Sequence, residues 1–265
     1  YYNNSAADNQ ENVSGVWTNG YEAVWHLDET GSTAVDSTGN GHNGTINAGV
    51  TTGVDGMAGS AIDVGATSDG WVSVPHDQSL DFGGSESYSV NVWANLDTVG
   101  STQWILSKGG ADTNWALETR DLDGDPAAEL AHEREAADGA DIRADEPSDP
   151  SVDTWYHLVG TYDPSSDTME YFQNGTSRST ETFPPGGTSV GTNTEDVGIG
   201  RNSADFGEYT DGTIDEARIS NVQRSDVWVQ AVYENMANPT GFYTVGSTEN
   251  STIVSFNASG SSDPD

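Results

Sequence analysis

From Tyr21 onward, short segments that alternate apolar and polar residues recur about every ten residues, with Gly, Asn, Asp and Pro between them. The segments are AVWHLD (23–28), AIDVG (61–65), WVSVP (71–75), YSVNVWANL (88–96), QWILSKG (103–109), WALETR (115–120), AELAHE (128–133), WYHLVGTYD (155–163), TMEYFQNG (168–175), VGIGR (197–201) and GTIDEARIS (212–220). A period of two gives each segment one apolar face, and strands of this kind bury that face by stacking two sheets. The pattern predicts an all-β, two-sheet antiparallel jelly-roll sandwich. Only 33% of the residues are hydrophobic, but 8 Trp, 10 Tyr and 6 Phe supply large buried areas per side chain. One segment has the helical period: after Ser225, a predicted N-cap, DVWVQAVYENMAN places Val227, Trp228, Ala231, Val232 and Met236 toward one side of a short closing helix.

The polar run 1–20 reads as a linker or the tail of a preceding domain, 21–240 as the sandwich, and 241–265 as a linker followed by a new strand, TIVSFNAS. Asp and Glu number 43 against 8 Lys and Arg, a formal net charge of -35, and Lys108 is the only lysine. Such a surface repels nucleic acid and anionic lipid, since both are bound through basic side chains. No apolar run reaches the roughly 18 residues of a membrane helix, so no direct membrane insertion is expected. Acidic residues spread along the whole chain suit a fold kept hydrated at very high salt, as in a halophile. With no cysteine in the chain, disulfides, thiolate metal sites and Cys nucleophiles are all excluded.

The loop VDSTGNGHNGTI (35–46) gathers oxygen ligands of the hard type: the carboxylate of Asp36, the amides of Asn40 and Asn43, and carbonyls freed to turn by Gly39, Gly41 and Gly44. Asp215 and Glu216 on the last strand offer further carboxylates. The same residues read equally well as a glycine-rich turn beside ordinary strand carboxylates. DLDGD (121–125) has Pro126 where a calcium loop needs Gly and His132 where it needs Glu, and is read as an acidic turn. His132-Glu133 opens an H-E-x-x-H pattern that fails at Ala136, and no G-x-S-x-G elbow occurs. Trp25, Trp93 and Trp155 sit in strand patterns and are expected in the core. Trp71, Trp104, Trp115, Tyr171 and Tyr209 lie at strand ends or beside polar stretches, where a ring can stack on a sugar, and Arg201 and Asn202 can add hydrogen bonds to hydroxyls.

Taken in order, AVWHLDE, DSTGNGHNGT, GSAIDVG, WVSVPHDQSLDF, YSVNVWANL, ILSKGG, DTWYHLVGTYD, YFQNG, VGIGR and GTIDEARISNVQRS resemble the laminin G-like (LamG-like) jelly roll of the concanavalin A-like superfamily, from residue 21 to about 236. The closing VSFNASGSSDPD resembles the first strand of a PKD (polycystic kidney disease) domain. The resemblance implies a non-catalytic module of a secreted or cell-surface protein that binds a glycan or surface glycoprotein. It also implies a structural Ca²⁺ held by Asp36, Asn40, Asn43 and Asp215. The sugar-contacting residues are then Trp104, Trp115, Tyr171, Arg201 and Asn202. A structural or protein-binding spacer is the alternative, and a glycoside hydrolase of the same superfamily the third reading. Hydrolases of that superfamily carry E-x-D-x-E or E-x-D-x-x-E on one strand, and neither occurs here.

The charge generates a first prediction. Self-repulsion among 43 carboxylates is screened over ~3 Å at 1 M salt but acts over ~30 Å at 0.01 M. Thermal melts across a NaCl series are expected to show Tm rising with salt, and a flat profile would remove the halophilic reading.

Overall fold

The computed structural model describes residues 12–242 except 66–69, 110–112, 121–127, 137–138, 146–147, 184–192 and 205–207. The acidic turn 121–125 and the PKD-like strand lie outside the described residues. In chain order the strands are β1 (Tyr21–Trp25), β2 (Thr33–Ala34), β3 (Gly44–Ile46), β4 (Thr51–Asp55), β5 (Ser60–Asp63), β6 (Val72–Val74), β7 (Tyr88–Leu96), β8 (Gln103–Lys108), β9 (Trp115–Arg120), β10 (Glu129–Glu135), β11 (Asp141–Asp145), β12 (Trp155–Asp163), β13 (Thr168–Gln173), β14 (Thr176–Thr182), β15 (Val197–Ile199) and β16 (Gly212–Ser220). They form two antiparallel eight-stranded sheets. Sheet I runs β14-β13-β12-β7-β16-β5-β4, with β1 also paired to β16, and sheet II runs β11-β10-β9-β8-β15-β6-β3-β2. The expected sandwich is therefore present.

All eleven expected strands occur, four of them with the same ends: β7, β9, β12 and β16. The five strands without a signal of their own in the sequence are short or polar. β2 has two residues and β3 three, while β14 reads TSRSTET with nearly every side chain exposed at the edge of sheet I. The acidic block 121–150 also contributes strands, β10 and β11, whose carboxylates face outward from sheet II or take internal partners.

Between the sheets lies one apolar core, which includes Trp25, Leu27, Ile62, Tyr88, Val90, Val92, Leu106, Trp115, Leu117, Leu158, Tyr162, Tyr171, Ile199 and Ile214. Two charged or titratable side chains from β10 enter it. Arg134 is fully buried, with its guanidinium 4.3 Å from the Tyr162 ring centroid and 4.9 Å from that of Tyr88. It donates to the carbonyls of Phe82 and Gly83, the latter at 3.1 Å. Cation–π contacts that exclude water are worth about 2 kcal/mol or more, which offsets part of the burial cost. His132 packs under Gly160, where a Cβ would come within 2.5 Å of the imidazole, so β12 carries the one residue that lets the two sheets close there.

A helix, α1 (Val13–Val16), precedes the sandwich, and α2 (Asp226–Ala237) follows it, with Ser225 as N-cap accepting from Trp228 N–H. The helix packs on the outer face of sheet I through Trp228, Val232 and Met236 of the expected side, but it is rotated so that Val229 and Tyr233 take the places expected for Val227 and Ala231. Val229 is buried with Val159 and Phe172, and Val232, Tyr233 and Met236 complete the face, whereas Val227 is 72% exposed. Positions 229, 232, 233 and 236 are the i, i+3, i+4, i+7 set. Val227 therefore belongs to the solvent side.

Beneath α2, the His157 ring packs against Trp93 (centroids 5.0 Å apart) and Tyr233 (6.3 Å), which also stack on each other at 5.7 Å, with neither ring nitrogen hydrogen-bonded among the described residues. Burial, assisted by Arg218, pushes its pKa down to about 3. Because the unfolded ring protonates near the ordinary value while the native ring stays neutral, the stability tied to this site is complete above about 6.5 and is lost as pH falls toward 3. At about pH 4.5 the loss is roughly 2 to 3 kcal/mol. His157→Phe keeps the ring and removes the titration. It is expected to match the parent within about 1 kcal/mol at neutral pH and to exceed it by about 2 kcal/mol near pH 4.5 in urea denaturation. Parallel pH profiles for the two proteins would contradict the assignment.

Candidate functional site

On β9, Trp115 and Leu117 point into the core, so Glu118 and Arg120 face outward, and on β10 Leu130 and His132 point inward, so Glu133 faces outward. The register sets Glu118 opposite Trp104 of β8 and Glu133 opposite Arg143 of β11. These five residues meet on the outer face of sheet II. Arg120 Nε donates to Glu118 Oε1 at 3.0 Å and Arg120 Nη2 to Oε2 at 3.2 Å, while Nη2 lies 3.4 Å from Glu133 Oε2. Arg143 Nε reaches Glu133 Oε2 at 2.6 Å and Glu118 Oε1 at 3.3 Å, and its Nη2 holds Asp141 at 2.7 Å. Each guanidinium thus bridges both glutamates.

The carboxylates are inside this box and the guanidiniums cover it: Glu118 and Glu133 side chains are 0% and 2% exposed, those of Arg120 and Arg143 25% and 17%. Burial, the like charge of the neighbouring Glu133 and a hydrogen bond that Glu118 can donate to it when protonated hold Glu118 well above the ordinary carboxylate range. Trp104 lies against the same box, 2% exposed, with its buried Nε1 unpartnered among the described residues.

A wall beside the box comes from the chain after β15. Gly198 faces outward between core residues Val197 and Ile199, and a Cβ there would lie 2.2 Å from the Arg201 carbonyl, which also accepts from Ser107 Oγ at 3.2 Å. The chain therefore folds back over β15 and β8. Arg201 sits over Trp71 at 4.4 Å and Tyr209 at 5.9 Å, and Thr210 bonds the Trp104 carbonyl at 2.9 Å. Glu208 acts electrostatically on Arg120. Trp71 and Tyr209, each partly exposed, are the rings this wall presents.

The residues expected to contact sugar divide accordingly. Trp115 and Tyr171 are core side chains at 0% exposure, bonded to Leu80 O and Gln173 Oε1, and neither reaches a ligand. Both rings lie on the core face of their strands, where the alternation, not the position along the strand, sets exposure. Trp104, Arg201 and Asn202 do fall on the outer face of sheet II, yet are 2%, 4% and 3% exposed. Asn202 Oδ1 accepts from Ala204 N–H. They form the floor and wall of the site rather than its open surface. Glu118, Arg120, Glu133 and Arg143 were not anticipated. Their trace is the outward Glu and Arg positions of WALETR and ELAHERE, which become neighbours only once the strand register is known.

The four residues assigned to calcium by resemblance do not fit a cation. Asp36 is 6% exposed, and its Oδ1 accepts Val24 N–H (3.2 Å), Thr38 N–H (3.0 Å) and the Thr38 hydroxyl (2.8 Å). Its Oδ2 accepts Gly41 and His42 N–H at 3.1 Å each. Asn43 Oδ1 takes the Asp36 N–H at 2.8 Å, and Asn40 points its Nδ2 at the Glu22 carbonyl, 2.9 Å away. A ring of N–H donors around the carboxylate repels a cation and leaves far fewer than the six to eight free oxygens Ca²⁺ takes. Asp215 lies under another turn, accepting Ala58 N–H at 2.9 Å, and shares no partner with the loop. Burial pushes it up to about 6. Its neighbour Glu216, in the left-handed region at φ 53° on a bulge, holds His26 at 2.7 Å and Arg218 at 2.5 Å. Among the described residues no group of three or more His, Asp or Glu is placed to hold a metal ion.

Residues 66–230 match a family model described as the concanavalin A-like lectin/glucanases superfamily. No curated protein matches the sequence. Among solved structures, domain 4 of AbnA, a GH43 extracellular arabinanase from Geobacillus stearothermophilus, in complex with arabinotriose, is 20% identical with a TM-score of 0.60 over 81% of this chain and 98% of that one. The binding domain of Paraclostridial Mosquitocidal Protein 1 is 14% identical (TM-score 0.67, 83% of this chain, 53% of that one). The botulinum neurotoxin serotype G binding domain is 12% identical (0.63, 82% and 51%). The chain spans about half the length of the two toxin domains.

The Asp36 network yields a prediction. Asp36→Ala strands several buried N–H donors and is expected to cost about 3 kcal/mol or more in denaturant unfolding, with the same loss in calcium and in chelator. A loss seen only with calcium present in the parent would restore the metal.

Proposed function

Because the chain belongs to the concanavalin A-like lectin/glucanases superfamily, we propose that it is a non-catalytic carbohydrate-binding or adhesion module of a secreted or cell-surface protein, with a glycan or surface glycoprotein as partner. The observation that carries this reading is the outer face of sheet II. There a bridged set of two guanidiniums and two carboxyls stands beside the partly exposed rings of Trp71 and Tyr209. Planar groups that donate and accept in fixed directions suit vicinal hydroxyls, and aromatic rings suit the apolar faces of sugars. The arabinanase domain, matched over nearly its whole length, was solved with arabinotriose.

The acid pair does not suit hydrolysis. Glycosidases hold two carboxyls about 5 to 9.5 Å apart so that the sugar, and in inverting enzymes a water, fits between them. Glu118 and Glu133 are in hydrogen-bond contact, and both are clamped by arginine. The raised pKa of Glu118 follows from its burial and its pairing with Glu133 rather than from a general-acid role.

Binding of the full chain to a glycan and polysaccharide array in high salt tests the reading, with Trp71→Ala beside the parent. Specific signal on a glycan class that falls about tenfold in the variant is the expected result. Silence from folded protein would turn the reading to a structural or protein-binding spacer.

A further inference from the structure

Of the eight cationic side chains, four are committed inside the fold or at its corner and a fifth lies on an edge strand. Lys108 is fully buried, with Nζ 2.9 Å from His76 Nδ1, and Arg134 is sealed in the core. Arg218 and Arg224 are bound into the corner near Trp17 and Tyr21, and Arg178 lies on the edge strand β14 of the opposite sheet. Arg201 is 4% exposed between two rings. Only Arg120 and Arg143 bring partly exposed guanidiniums to the outer face of sheet II, and both are bonded to acids that cannot leave.

We propose that this face selects uncharged sugars and rejects sugars bearing a carboxylate, because Arg120 and Arg143 are locked to Glu118, Glu133 and Asp141. The inference rests on the glycan-binding reading. A sugar hydroxyl both donates and accepts, so it joins the array by adding to a guanidinium N–H or a carboxyl lone pair without separating any pair. A uronate or sialate carboxylate, by contrast, makes its strong contact only by taking a guanidinium fork. That exchange strands Glu118 and Glu133, at 0% and 2% exposure, with no water to replace the arginine. Glu208, facing Arg120, adds repulsion. The exclusion is local. It therefore differs from the general repulsion of a chain of net charge -35, which salt screens.

The test measures affinity of the full chain for neutral arabinan and for polygalacturonate, by affinity electrophoresis or calorimetry, at low salt and at about 2 M NaCl, where the screening length is only a few Å. Arabinan stands for neutral polymers and can be replaced by whichever neutral glycan the array identifies. The expected result is neutral binding at both salts and no polygalacturonate binding at either. Glu133→Gln replaces the charged 2.6 Å acceptor of Arg143 with a neutral amide, weakening its hold on the guanidinium, and is expected to gain polygalacturonate affinity by about tenfold or more at high salt. Should that variant fail to fold, Asp141→Asn, at a side chain 43% exposed, neutralises the partner at the other end of the same guanidinium and is expected to shift affinity in the same direction.

Parent protein that binds polygalacturonate at high salt as tightly as the neutral polymer overturns the proposal and leaves glycan binding standing. So does a folded variant with no gain. Folded parent that binds neither polymer nor any array glycan overturns the glycan reading itself.

Discussion

Positive charge is the scarce component of this molecule, and the architecture is arranged around it. Against 43 acidic residues there are 8 cations, and seven of them are buried or partly buried. Most of them brace a joint of the fold. Arg134 links the two sheets through Tyr88 and Tyr162, Lys108 ties β8 to the chain before β15 at Glu195, and Arg218 holds Glu216 on the bulge of β16. Arg201 fixes the wall over sheet II, and Arg120 with Arg143 makes it possible to keep two glutamates under cover. An acidic surface of this size is compatible with a stable fold because the attractive pairs lie inside, where water and salt weaken them least.

Much of the fold was legible because both sheets have a core face and sandwich strands declare it by alternation. YSVNVWANL, WALETR, WYHLVGTYD and GTIDEARIS carried enough side chains on that face to fix their ends to the residue. Edge strands carried no such mark. TSRSTET is polar on both sides with nearly every side chain exposed, and the two residues of β2 are too few to show an alternation. The helix was legible in position and N-cap but not in rotation. The segment offers Val227 and Val229 as alternatives, and only the rings of Trp93 and His157 waiting on sheet I decide between them.

The candidate site was legible in a different way. A site built along a strand leaves a motif, but this one is built across four strands, β8 to β11, each giving one or two residues. The pairing of Glu118 with Trp104 and of Glu133 with Arg143 is a matter of register, which no single segment contains. The glycine loop taught the converse. Its concentration of Asp, Asn and Gly is real, yet the same composition that suits a cation shell also builds a carboxylate nest of backbone N–H groups, and here the donors close on Asp36.

The way the chain enters and leaves the sandwich bears on how it would carry load. β1 starts at Tyr21 opposite Ser220, the end of its antiparallel partner β16, and Asn221 N–H bonds the Gly20 carbonyl at 2.8 Å. A pull on the two flanking segments would therefore open this pair one hydrogen bond at a time, as a zip, rather than loading all of them in shear. Standing directly at the mouth of the zip is Arg224, which bonds the Asn19 carbonyl at 2.8 Å and lies between the Tyr21 ring at 4.5 Å and the Trp228 ring at 4.8 Å. Arg224 thus clasps this corner together with the Asn221–Glu22 side-chain bond, and under tension these contacts part before the rest of the β1–β16 ladder.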